Sequence, residues 1–185
     1  MPNGESQISD RKYHLTSGIC NLKFFHIFHA MLVLLMMVPG TAFSQRPSMP
    51  AVGDTVKGIY VGAWVQNAPE GGEAFHGRPV LLEFWSTWCK PCIAAIPHLN
   101  DLEKEFGDRV QFIAITQERA STAAKFLEKK TMRAAVAADT EQGTTHKVFG
   151  VSVIPRTYVL SADRVVLWTG HPTKLSRGLL SKLLE

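Results

Sequence analysis

From residue 80 onward, short unbroken apolar runs alternate with stretches of helically spaced apolar residues. Val80 to Trp85 (VLLEFW) is a near-continuous apolar run broken only by Glu83. Such a run marks a strand covered on both faces. Ser86 to Trp88 reads as a turn, and Cys89 to Phe106 as a helix. Pro91 lies in its first turn, where a missing N–H is harmless. Pro97 falls inside the helix and predicts a kink, and Gly107 supplies the stop. Arg109 to Thr116 (RVQFIAIT) is a second strong strand, and Ser121 to Lys130 a helix with Ala124, Phe126 and Leu127 on one side. Ala134 to Ala138 reads as a weak strand, and Thr140 to Phe149 as a short helix ended by Gly150. Thr157 to Leu160, the turn Ser161-Ala162-Asp163-Arg164 and Val165 to Thr169 form a β-hairpin. Lys174 to Leu184 is a terminal helix with Leu175, Leu179, Leu180, Leu183 and Leu184 on one stripe. Ahead of this body, Val52 to Val65 (VGDTVKGIYVGAWV) predicts one or two short strands, and Asn67 to Gly77 a loop. The alternation predicts an α/β fold with a central mixed sheet and helices on both faces.

The front of the chain has a different pattern. Ile27 to Val38 is a twelve-residue apolar run, preceded by Arg11, Lys12 and Lys23 and followed by Pro39-Gly40 and Ala42-Phe43-Ser44. A basic region, an apolar core and a small-x-small site in that order read as a signal peptide over 1–44, cut after Ser44. Even Phe24 to Val38 is only fifteen residues and carries His26 and His29, whereas a spanning helix needs about 20 apolar residues. The expectation is an exported, periplasmic or extracytoplasmic domain over 45–185, with membrane contact only if the leader stays on as an anchor.

Composition adds little. The 185 residues are 45% hydrophobic and 19% charged, with a net charge of +4 spread along the chain. That excess reads as ordinary surface charge, and no nucleic-acid partner is expected. The cysteines are Cys20, Cys89 and Cys92, so a chain cut after Ser44 keeps only the pair. An exported protein with one such pair has nothing to mispair with.

The chemistry concentrates in Trp88-Cys89-Lys90-Pro91-Cys92. Two thiols with two residues between them, at a strand-to-helix junction, can close a small disulfide ring. The free N–H groups and macrodipole at a helix start favour a thiolate on the first sulfur. Cys89 is therefore the expected nucleophile and the more exposed sulfur, with Lys90 adding nearby positive charge. Cys92 is the expected resolving thiol. A zinc site needs about four ligands, and no second Cys pair exists to complete one; neither metal nor cofactor is expected. Glu83, six residues before Cys89, is a carboxylate within an apolar strand. Burial would raise its pKa and make it a base usable near neutral pH, whereas at a strand edge it would simply face solvent. His76, His98, His146 and His171 are scattered and read as surface or loop residues.

The run FWSTWCKPCIAAIP resembles the active-site segment of the thioredoxin-like superfamily, and is most similar to its exported TlpA-like branch, which includes cytochrome c maturation reductases. Pro97, eight residues after Cys89, matches the family's helix-kinking proline. Val153-Ile154-Pro155 matches its cis-proline loop, and Asp139 to Val151 resembles the inserted segment of this branch. The resemblance implies a thioredoxin fold with a short N-terminal strand extension and that insert before the cis-proline strand. It implies a cis Ile154–Pro155 bond beside the thiols, and a buried acid at the place of Glu83 that moves the proton of the second cysteine. It implies that Trp88, Lys90, Pro91, Ile154 and Pro155 form the surface that meets substrate. Ile93, Ala94 and Ala95 depart from the family, which often places a charged residue after the second cysteine.

The expected function is reduction of protein disulfides by dithiol exchange, with a protein disulfide as substrate and an upstream electron-donor protein. Alternatives are a disulfide oxidase or isomerase, a thiol peroxidase and a metal-carrying dithiol. A reduction potential well below about −200 mV marks the reductase and one near about −120 mV the oxidase.

Overall fold

The structure, a computed structural model, describes residues 48–70 and 77–185. The leader expectation over 1–44, and the part of the loop at 71–76, lie outside the described residues. The strands are β1 (Val61–Gln66), β2 (Val80–Phe84), β3 (Gln111–Thr116), β4 (Ala135–Asp139), β5 (Arg156–Leu160) and β6 (Val166–Gly170). The helices are α1 (Lys90–Phe106), α2 (Ala120–Leu127), α3 (Thr144–Val148) and α4 (Arg177–Leu183), with a 3-10 turn at Pro172–Lys174. They form one six-stranded sheet in the order β1-β4-β3-β2-β5-β6. The β2–β3 and β3–β4 pairs are parallel, and β1–β4, β2–β5 and β5–β6 are antiparallel. This is the mixed α/β architecture expected, with β1 as the N-terminal extension.

Every residue of β2 is buried, yet the strand keeps its two-residue period. Val80, Leu82 and Phe84 enter one core with Ile113, Ile115, Tyr158, Leu160 and Phe149. Leu81 enters the opposite core with α1 residues Leu99, Leu102 and Phe106 and α4 residue Leu180. Trp85 joins Cys89, Cys92 and Ile96 of the α1 region and Ala123 of α2 in a third cluster on that opposite face. The helices α1, α2 and α4 thus cover one face, and α3 with the 55–60 segment covers the other. Glu83, between Leu81 and Trp85 in the alternation, faces the α1 side.

Several boundaries differ from the sequence pattern for local reasons. Val52 to Val65 yields one strand, within the one or two expected; further forward Thr55 makes an isolated bridge to Val165. The terminal leucine stripe is divided, because Ser176 caps a new helix by accepting the Leu179 N–H. Leu175 ends up buried in the linking turn. The helix expected from Thr140 shrinks to α3, because the Thr140 hydroxyl is engaged with Thr144 in a turn. Gly62 passes so close to β4 that a Cβ there would lie 2.5 Å from the Asp139 carbonyl oxygen, which explains glycine inside β1.

Candidate active site

Cys89 and Cys92 are joined in a disulfide, with Cα atoms 5.2 Å apart. Cys89 is the N-cap of α1: its backbone is extended, and its sulfur accepts the Cys92 N–H at 3.2 Å. The Cys89 N–H donates to the Ser86 carbonyl at 3.1 Å, closing the turn between β2 and α1. Lys90 and Pro91 occupy the first helical positions and are exposed, and Pro97 lies within the helix. The Pro97 nitrogen has no proton to donate to the Ile93 carbonyl one turn back.

Cys89 is expected to be the more exposed of the two sulfurs, and the margin is small. Cys89 is 4% exposed and Cys92 2%, so both sulfurs are packed in this oxidised form. The cap geometry turns the Cys89 sulfur inward, and the pair belongs to a cluster with Trp85, Ile96, Met132 and Val136. Trp88, one residue earlier, is 69% exposed. Trp85 is core and packs against Phe126, with ring centroids 5.4 Å apart. Ile154 packs against the cysteine cluster, and the Ile154–Pro155 bond is cis. Val153, next to it, is exposed. The structure therefore gathers Trp88, Ile154 and Pro155 around the disulfide end of α1.

Glu83 does not face solvent at an edge. It sits in a central strand and is 3% exposed. Burial pushes its pKa up to about 8, only partly opposed by the hydrogen bond from the Thr157 hydroxyl. Its other oxygen, Oε1, is buried without a hydrogen-bond partner. Glu83 borders a cavity of about 10 Å³ lined also by Ile96, Leu99, Asn100, Ala114 and Met132, at the lower limit for one water molecule. Ile96 is one turn along α1 from Cys92, so the acid lies beneath the helix that carries both sulfurs.

Other polar arrangements escaped the sequence pattern. His146 is buried, not a surface residue: its Nδ1 lies 2.7 Å from Asp139 Oδ2, and its ring meets Phe84 edge-on at 4.8 Å. Asp139 also accepts the N–H groups of Thr140, Thr145 and His146. Burial raises its pKa, but these hydrogen bonds outweigh that, and the carboxyl lies below its ordinary value. His98 is half-buried and bonds the Leu175 carbonyl at 2.9 Å, tying α1 to the 3-10 turn. Glu118 binds Thr87 in the turn ahead of Cys89. The spacing of two residues 31 apart gives no hint of that pair. No cluster of three or more metal-ligating side chains occurs among the described residues, nor a helix long and apolar enough to cross a membrane.

Comparison with known proteins agrees with this geometry. Over 95 residues the chain is 33% identical to the thiol-disulfide oxidoreductase ResA of Bacillus thuringiensis subsp. konkukian, covering 50% of this chain and 54% of that one. The chain thus spans about half the length of the curated relatives it matches. A putative thiol:disulfide interchange protein DsbE from Chlorobium tepidum superposes with a TM-score of 0.63 at 22% identity, over 74% of this chain and 99% of that one. The peroxidoxin BcpB from Mycobacterium tuberculosis superposes with a TM-score of 0.57 at 26% identity, over 74% and 95% of the two chains. The family described as AhpC/TSA matches residues 72–169, more than half of the sequence and all of the segment from the approach to β2 through the hairpin. By that match, and by the sheet order around the cysteine turn, this chain belongs to the AhpC/TSA family and has a thioredoxin fold.

Proposed function

We propose that this protein is a thiol–disulfide oxidoreductase that reduces protein disulfides outside the cytoplasm. The observation that carries the reading is the Cys89–Cys92 disulfide at the N-cap of α1. In the dithiol form, the Cys92 N–H that now meets the Cys89 sulfur, together with the helix N-terminus, stabilises a thiolate there. That thiolate attacks a substrate disulfide, forms a mixed disulfide and expels one substrate thiolate. Cys92, once deprotonated, attacks Cys89; the second substrate thiolate leaves, and the pair is oxidised by two electrons.

Glu83 is the proton acceptor for Cys92 in this scheme. With a pKa of about 8, it holds a proton at neutral pH most of the time, so only the deprotonated minority accepts the Cys92 proton, and this step speeds up as pH rises toward about 8. Trp88, Lys90 and Pro91 offer a face to the partner, and Ile154 and Pro155 flank the sulfurs. Cys89 is buried, and Trp88, the residue before it, is exposed and offers a first contact for a donor or substrate. Export rests on the leader pattern at 1–44, and an upstream donor must recharge the pair in an oxidising compartment. The similarity to TlpA-like proteins extends the substrate class to cysteines awaiting haem attachment.

The test is reduction of insulin by the dithiol form, together with the potential in glutathione buffers. Insulin reduction and a potential below about −200 mV support the reductase; a value near about −120 mV overturns the direction. A second reading, peroxide reduction, draws on the peroxidoxin likeness and on Ser86, buried three residues before Cys89. Rapid peroxide consumption without insulin reduction would favour it.

A further inference from the structure

The turn that carries Cys89 is held from outside the β2–α1 unit. The Thr87 N–H donates to Glu118 Oε2 at 2.6 Å, and the Thr87 hydroxyl to Oε1 at 2.7 Å. One residue of the turn thus engages both carboxylate oxygens. Glu118 is in turn fixed by the end of β3. The hydroxyl of fully buried Thr116 lies 3.3 Å from Oε2, and the Glu118 N–H donates to that hydroxyl at 3.2 Å. Thr87 belongs to the tight turn closed by the bond from the Cys89 N–H to the Ser86 carbonyl. A half-buried carboxylate therefore sits against the backbone two residues ahead of Cys89.

We propose that Glu118 is a positioning residue of the redox site: it fixes the Ser86–Cys89 turn and, as a negative charge held beside it, biases the Cys89/Cys92 couple toward the disulfide. The inference rests on the exchange reading above. The dithiol form carries its charge on the Cys89 sulfur, and a fixed like charge disfavours it; the disulfide is neutral and is not penalised. A couple biased in this way is the stronger reductant. Lys90 and the α1 N-terminus act in the opposite sense, Arg119 follows Glu118 in the chain, and Glu83 lies beneath α1. Glu118 thus offsets part of the thiolate stabilisation that the helix start provides.

The experiment equilibrates the full chain with reduced and oxidised glutathione, in which two glutathione thiols are consumed or formed per protein disulfide. Wild type, Glu118→Gln, Glu118→Asp and Thr87→Val are compared. Glu118→Gln is expected to shift the equilibrium toward the dithiol by at least about threefold, which is about 14 mV more positive at the two-electron slope. It should also lower the pH at which Cys89 becomes alkylated. Glu118→Asp, which keeps the charge, should stay within twofold of wild type. Thr87→Val keeps the charge and loses one bond, so exchange should slow severalfold with little change in equilibrium. An equilibrium for Glu118→Gln within twofold of wild type overturns the charge role, even if its melting temperature falls. Wild-type exchange rates in Thr87→Val overturn the positioning role. Failure of the wild-type chain to exchange with glutathione or insulin is a separate result, and it refutes the exchange reading itself.

Discussion

Glu83 and Thr157 are register partners on β2 and β5, and the Thr157 hydroxyl donates to the Glu83 carboxyl inside the core. The pair satisfies one carboxyl oxygen and leaves the other bare, so burial prevails and the acid holds its proton up to about pH 8. In the unfolded chain the same group releases its proton near its ordinary value of 4.5.

The sign of the resulting pH dependence follows. Between those pH values the folded state binds more protons than the unfolded state, so stability falls as pH rises. The full effect is on the order of 5 kcal/mol between pH 4.5 and pH 8. Urea unfolding of the oxidised protein at pH 5 and pH 8 should show that decline, and Glu83→Gln should largely remove it. The same variant should lose any inflection near pH 8 in the rate of the second exchange step. A Glu83→Gln protein with the wild-type slope would show that the acid does not titrate in the core.

Cys89→Ala should abolish disulfide reduction, since the thiolate at the helix cap that opens the exchange is lost. Cys92→Ala should stop at the mixed disulfide, visible as a partner-linked band that a reductant dissolves. If Cys92→Ala turned over at the wild-type rate, the two-step scheme would be wrong.

Asp139 gathers four hydrogen bonds, from the His146 ring and from the N–H groups of Thr140, Thr145 and His146. Its folded pKa is lowered, so its contribution is complete above the unfolded value and lost as pH falls through the folded one. Asp139→Asn should cost about 1–3 kcal/mol at neutral pH, because the neutral amide leaves buried donors unpaired. The loss should shrink in acid, where the wild-type carboxyl is protonated too. Thermal unfolding followed from pH 7 downward through the acid range measures both. A loss that stays constant down to acid unfolding would assign the effect to packing.

Trp88 is exposed beside packed sulfurs. Trp88→Ala should change stability by no more than about 0.5 kcal/mol. Partner affinity should fall by more than about 1 kcal/mol, since exposed tryptophans often anchor interfaces. The KM for insulin, compared with kcat, reads the effect; an unchanged KM removes Trp88 from the docking surface.

The sheet was legible because its signals are local. Val80 to Trp85 alternates between two cores while looking uniformly apolar, and the Cys89 cap, Pro91 and Gly107 mark the ends of α1. Ala134 to Ala138 looked weak because alanine has little strand preference. In β4 that small size fits a strand buried on both faces between β3 and β1. Ser176 carried a legible cap signal that the leucine stripe masked. What could not be read was pairing across the fold. The bonds from Glu118 to Thr87 and from Thr157 to Glu83 depend on strand register and loop closure, with separations of 31 and 74 residues. The inward turn of the Cys89 sulfur depends on side-chain packing, which spacing does not report.

Because the two sulfurs are packing atoms, opening their bond alters the molecule's interior as well as its rim. A thermodynamic cycle then links two laboratory quantities. Any gap in unfolding free energy between oxidised and reduced forms, divided by two Faradays, equals the gap between the potential of the native pair and that of the same pair in a denatured chain. A calorimeter can therefore gauge how strongly this scaffold drives electrons outward, with no partner protein in the cell.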